Sequence, residues 1–247
     1  MRVQTVELHS PAIGASGTVV CYGHWGRAVL VFPSEGGRAG DFANNGMIGA
    51  VGGLVEAGRV KLYCVDSYDA SSWAARDLPL EERARRHGAY ESWIVDQVVP
   101  HVVAEGGGAG DVIAAGCSMG AYHALNFALK RADLFPLALC FSGNYDPSQW
   151  HGWGERGDAT YFNSPTDYVA NLDGDHLEWL RSRLSVLLVC GQGQWEDTTG
   201  ALDSTRTVAG LLAAKGIRHE MDLWGHDVPH DWPSWRAQFA HHLPRFC

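Results

Sequence analysis

No apolar run in the chain approaches the roughly 18 residues needed to span a bilayer; the longest lie near Ala28 to Phe32 and Leu184 to Cys190. A membrane-spanning helix is not expected. Basic residues are scarce, 19 Lys and Arg against 28 Asp and Glu for a net charge of -9. Their densest group, Arg83, Arg85 and Arg86, falls on one predicted helix without interleaved aromatics, so nucleic acid is not an expected partner. Charge is low overall, 19% against 46% apolar residues, which excludes a disordered tail or linker. The six cysteines show no C-x-x-C spacing, and Cys64, Cys117, Cys140 and Cys190 sit in or end predicted buried strands. They read as small buried apolar residues, not as a disulfide frame or a metal site. Near the N-terminus Glu7, His9 and Ser10 stand where the apolar core of a secretion signal would lie, and a cytoplasmic location is the expectation.

What is present is material for a large core, with 10 tryptophans and 30 glycines in 247 residues. One domain over 1–247 is the default at this length. Short β-branched runs alternate with segments of helical period, the pattern of an α/β fold with a mostly parallel sheet covered on both faces. Strands are expected at Val3 to Leu8, Thr18 to Tyr22, Ala28 to Phe32, Val60 to Val65, Val112 to Cys117, Leu137 to Phe141, Val186 to Cys190 and Arg218 to Leu223, the first two as an edge hairpin. Helices are expected at Asn44 to Ala57, Leu80 to Ala104, Ser118 to Lys130, Thr199 to Lys215 and Pro233 to His242. Between about 142 and 183, tryptophans and tyrosines stand among Gly and Asp with no clear strand. That stretch reads as an irregular insertion over the carboxyl edge of the sheet.

Gly116-Cys117-Ser118-Met119-Gly120 matches the G-x-S-x-G nucleophile elbow, a sharp strand-to-helix turn whose glycines are required because side chains there would collide with neighbouring elements. A β-branched strand runs into the motif and a good helix runs out, which makes Ser118 the candidate nucleophile. A serine hydroxyl needs a base to take its proton, and the oxyanion it creates needs backbone donors. One donor of this oxyanion hole is the N–H of Met119. The loop after the third strand, Pro33 to Phe42, is expected to supply the other from Gly37 or Gly36.

On this fold the acid and then the histidine follow the serine in the chain. Two histidines compete after the last strand, His230 directly before the final helix and His226 earlier in the loop. Their i, i+4 spacing would suggest metal ligands on a helix, but Gly225 and Pro229 argue against a helix there, and no metal is expected. After strand Val186 to Cys190, Glu196 and Asp197 are both placed to stabilise an imidazolium. Asp197 has a competing role as cap of the helix expected from Thr199, which favours Glu196. Acids elsewhere, Asp173 or Asp175, remain further alternatives. His123, on the helix after Ser118, reads as packing or support.

These residues resemble the esterase branch of the α/β-hydrolase superfamily, which includes S-formylglutathione hydrolases, feruloyl and enterobactin-type esterases, and mycolyltransferases. The resemblance runs from about Val29 to Leu243. It rests on Gly37-Arg38-Ala39-Gly40-Asp41-Phe42, on Gly116 to Leu125, and on His230-Asp231-Trp232-Pro233-Ser234-Trp235. The last string is similar to an H-D-W-x-x-W ending whose histidine is the base, which raises His230 over His226. The resemblance implies an α/β-hydrolase fold and a cofactor-free serine esterase with a Ser-His-acid triad and a covalent acyl-enzyme, acting on a small-molecule ester. An acyltransferase would use the same triad. A non-catalytic binding protein on the same scaffold would show a broken one.

Overall fold

The computed structural model describes residues 1–106 and 110–247. Eight strands form one sheet: β1 (Val3–Ser10), β2 (Ala15–Tyr22), β3 (Arg27–Phe32), β4 (Val60–Val65), β5 (Ile113–Cys117), β6 (Leu137–Phe141), β7 (Ser185–Cys190) and β8 (Arg218–Leu223), in the order β1-β2-β4-β3-β5-β6-β7-β8. The β1–β2 hairpin pairs Val3 with Tyr22 at its open end and, like the β2–β4 pair, is antiparallel; the remaining strands are parallel. Alternation along β3 explains why helices cover both faces. Val29 and Val31 face one core, while Leu30 and Phe32 face the other.

The chain leaves β3 for β4 on one side and returns to β5 on the other, so β3 and β5 flank a reversal of strand order. Loops leaving the carboxyl ends of two such strands diverge and open a crevice there. Six loops meet at this edge, those after β3, β4, β5, β6, β7 and β8.

Two expected helices and the expected insertion differ in form. The stretch expected as one helix from Asn44 to Ala57 is three short ones, Asp41–Asn44, Met47–Ala50 and Gly52–Glu56; Gly46 sits at φ 75°, a left-handed conformation that no helix continues through. The helix from Leu80 runs as Leu80–Trp93, a wider π-turn over Ile94–Val98, and Val99–Glu105. Pro100 has no N–H to return to the preceding turn, and its ring would crowd that turn's carbonyl, so the helix widens just before it. The stretch 142–183 holds no strand, as expected, but is irregular only up to about residue 157; beyond that it carries the helices Asp158–Tyr161, Pro165–Tyr168 and Gly174–Arg183 joined by tight turns. Its Trp150 packs edge-on against Tyr122 (4.8 Å between centroids) and Trp73 (5.4 Å), which clamps the segment to the helix Met119–Lys130 and to the loop after β4. Five of the six cysteines are buried and all six are free. No helix among the described residues is long and apolar enough to cross a membrane.

Candidate active site

Ser118 follows β5 at φ 56°, ψ -121°, a conformation costly for a residue with a side chain. Close packing enforces the turn. A Cβ on Gly116 would lie 2.3 Å from the Gly120 carbonyl carbon, and one on Gly120 would lie 2.3 Å from the Phe32 carbonyl oxygen. The helix Met119–Lys130 starts at the next residue, so the Met119 N–H points out of a helix N-terminus beside Ser118.

The His230 ring reaches Ser118 from the far side of the crevice, Nε2 to Oγ at 3.0 Å, with Nδ1 2.9 Å from Glu196 Oε2. A carboxylate only accepts, so Nδ1 carries the proton and donates to Glu196. That leaves Nε2 as the acceptor for the serine hydroxyl. The ring is held edge-on against Trp235 at 4.9 Å, and the His230 N–H donates to the Gln194 carbonyl at 2.9 Å. These contacts tie the histidine loop to the acid loop. The acid loop in turn lies flush against Val228: a Cβ on Gly191 would sit 2.1 Å from the Val228 carbonyl oxygen.

Glu196 is fully buried. Its Oε1 accepts from the Ser142 hydroxyl at 2.5 Å and from the Gly191 N–H at 3.2 Å, and its Oε2 accepts from His230 and from the Cys190 thiol at 3.4 Å. Burial, then the Glu196 charge, pushes the Cys190 thiol pKa up, which keeps the thiol a donor. A buried carboxylate with four donors is fixed in place.

The other sequence candidates fall elsewhere. The Asp197 side chain is exposed and accepts from the Thr198 N–H at 2.8 Å. It caps no helix: the next one is Ala201–Ala214, entered through Gly200 at φ 72°, and this corrects the capping role expected of Asp197. His226 is exposed and its ring makes no hydrogen bond among the described residues. Gly36 and Gly37, expected to aim N–H groups at the serine, both have other acceptors. The Gly37 N–H closes a turn to the Ser34 carbonyl at 3.0 Å, and the Gly36 N–H donates to Asp69 Oδ2 at 3.0 Å. Glu35 of the same loop borders the cavity over Ser118, and among the described residues its N–H has no acceptor.

Two supporting residues were missed by the sequence reading. Ser142 stands one residue past β6, at the sheet edge where ligands bind, and that position was the available signal. Asp69 holds Gly36 with one oxygen and His123 Nε2 (3.1 Å) with the other; it opens a single 3-10 turn, Asp69–Ser71, with no sequence pattern to mark it. Ser118, His230 and Met119 open into a cavity of about 520 Å³ whose wall includes Trp73, Trp150 and Asn144.

Eight strands in this order, with a strand-to-helix elbow after β5, form an α/β-hydrolase fold. Residues 50–246 match the family described as "Putative esterase", and the chain belongs to that family, one of hydrolases acting on small-molecule esters. Among solved structures, a ferulic acid esterase superposes with TM-score 0.73 at 19% identity, over 99% of this chain and 97% of that one. Mycobacterium tuberculosis MPT51 (FbpC1) gives 0.72 at 15% identity, over 99% and 97%. An S-formylglutathione hydrolase from Agrobacterium tumefaciens gives 0.72 at 14% identity, over 98% and 93%. No curated protein matches the chain in sequence.

Proposed function

We propose that this chain is a serine carboxylesterase in which Ser118 is the nucleophile, His230 the general base and Glu196 the acid that orients it. The observation that carries the reading is the unbroken path from Ser118 Oγ to His230 Nε2 (3.0 Å) and from Nδ1 to Glu196 (2.9 Å) at the mouth of the cavity. A non-catalytic scaffold has no need of such a path.

In the reaction, Ser118 Oγ attacks the ester carbonyl carbon while its proton passes to His230 Nε2. The imidazolium is stabilised by Glu196, and the oxyanion by the Met119 N–H with the Glu35 N–H as second donor. Collapse breaks the bond to the alcohol oxygen, which takes the proton from Nε2 and leaves an acyl-Ser118 ester. Water then repeats the sequence, giving its proton to His230 and releasing the carboxylic acid and the free serine. Five thiols buried in the sheet and core suit a reducing compartment, and cytoplasm is the setting we read for the enzyme.

The test is a panel of short-chain, long-chain, aryl and thioester substrates assayed with and without a serine-directed phosphonate. Hydrolysis of at least one ester, abolished by the phosphonate, is expected. Phosphonate-insensitive hydrolysis would overturn the reading.

A further inference from the structure

Two arginines border the cavity beside Ser118. Arg83 is 1% exposed, and its guanidinium donates to three backbone carbonyls, those of Trp73, Trp150 (2.9 Å) and His151 (3.3 Å). Its Nε has no acceptor, and among the described residues no carboxylate pairs with it. Arg76 stands exposed at the same cavity, also without an ion pair among the described residues. Burial and the neighbouring Arg76 charge pull the Arg83 guanidinium below arginine's ordinary value, while Glu35, across on the loop after β3, pulls the other way. Asp197 and Asp203 also border the cavity, but from a different segment, the one that leads into and opens the helix Ala201–Ala214.

Carbonyl dipoles spread a buried cation's field without cancelling its charge, and an ion taken out of water without a counter-charge is costly. Nothing in the wall supplies that counter-charge at hydrogen-bonding distance. Glu35 is exposed and acts only across space. We propose that the ester taken by this site carries a carboxylate, received where Arg76 presents an open guanidinium and Arg83 a fixed positive field behind it. The proposal rests on the esterase reading above and names its substrate class. A planar guanidinium matches a carboxylate in two parallel hydrogen bonds, so Arg76 has the geometry as well as the charge for the task. Glu35 is then the competing acid, and its removal should sharpen the preference.

The experiment separates binding from turnover. The Ser118→Ala protein is titrated calorimetrically with the monomethyl esters of the dicarboxylic acids from succinate to pimelate, each beside its neutral dimethyl ester. At one chain length or more, the monoester should bind at least about tenfold tighter than the diester. That ratio should fall to within about twofold when Arg76→Ala is added, rise severalfold with Glu35→Gln, and shrink as salt is raised. Arg83→Lys, which keeps the charge and loses the fork, should lower the ratio partially while circular dichroism reports an intact fold. Equal or absent binding throughout the series, or a preference untouched by Arg76→Ala, overturns the proposal. Turnover of the monoesters and of the neutral diesters by the unmodified enzyme is read separately. Its absence alongside an Arg76-dependent preference would sink the esterase reading and leave the carboxylate subsite standing.

Discussion

At the residue scale two adjacent acids have opposite surroundings. Glu196 is buried against His230, whereas Asp197 is exposed and satisfies only its neighbour's N–H. Glu196→Gln should keep the fold and lower kcat by about 10² to 10⁴, because an amide of the same shape cannot stabilise a forming imidazolium. Asp197→Asn should change neither kcat nor melting temperature by more than a small factor, and steady-state kinetics with thermal melts on both variants decides it. The two histidines divide in the same way, with His230→Ala expected to cost at least about 10² more in kcat than His226→Ala. Ser118 and His230 were legible in the sequence because their neighbours are unusual: glycines forced by close approach around one, and a Trp-rich helix start after the other. Glu196 was favoured over Asp197 only through a capping role that Asp197 does not have, because the choice depends on how the loop turns. Trp195 at φ 75° and the contact of Gly191 with Val228 turn Glu196 inward, and neither follows from residue type alone.

At the element scale two tethers hold the walls of the crevice. Asp69 links the loop after β3, through Gly36, to His123 on the helix that begins at Met119. Both proposed oxyanion donors lie on the elements it joins. Asp69→Asn should therefore lower kcat by roughly tenfold with little change in KM, while weakening a transition-state-like boronate by a similar factor, since loss of a charge-assisted hydrogen bond loosens a donor needed only in the transition state. Glu81, in the first turn of the helix Leu80–Trp93, accepts from the N–H groups of Gly157 (2.9 Å), Ala159 (3.0 Å) and Thr160 (2.9 Å) and from the Thr160 hydroxyl (2.8 Å). It thus caps the helix Asp158–Tyr161 from outside. Burial opposes the Glu81 charge, but the Thr160, Ala159 and Gly157 hydrogen bonds outweigh it and lower the pKa. A lowered folded-state pKa gives stability that is complete above the ordinary glutamate value and is lost as pH falls through the lowered one. Glu81→Gln should destabilise by about 1 to 2 kcal/mol at pH 7, with the gap to wild type closing below about pH 4, as denaturant titrations at both pH values would read. The strands and long helices were legible from periodicity. The breaks at Gly46 and before Pro100, and the helices within 142–183, were not, because short segments there owe their form to tertiary partners such as Glu81.

At the scale of the whole molecule, sheet order decides where chemistry can occur. The reversal between β4 and β5 around β3 opens the crevice, and the carboxyl ends of β5, β7 and β8 bring Ser118, Glu196 and His230 into it from positions far apart in the chain. Alternating hydrophobic runs announced a parallel sheet. The elbow motif then announced which strand end mattered. Arg83 and Arg76 entered the cavity wall unannounced, since a basic residue on a helix or loop normally signals only solvent. The central claim is that Ser118 forms a covalent intermediate. Its most direct test is intact-mass spectrometry with peptide mapping after treatment with a fluorophosphonate: the account expects one adduct per chain, on Ser118, with none in Ser118→Ala, and an adduct on another residue, or an unlabelled wild-type chain, would contradict it.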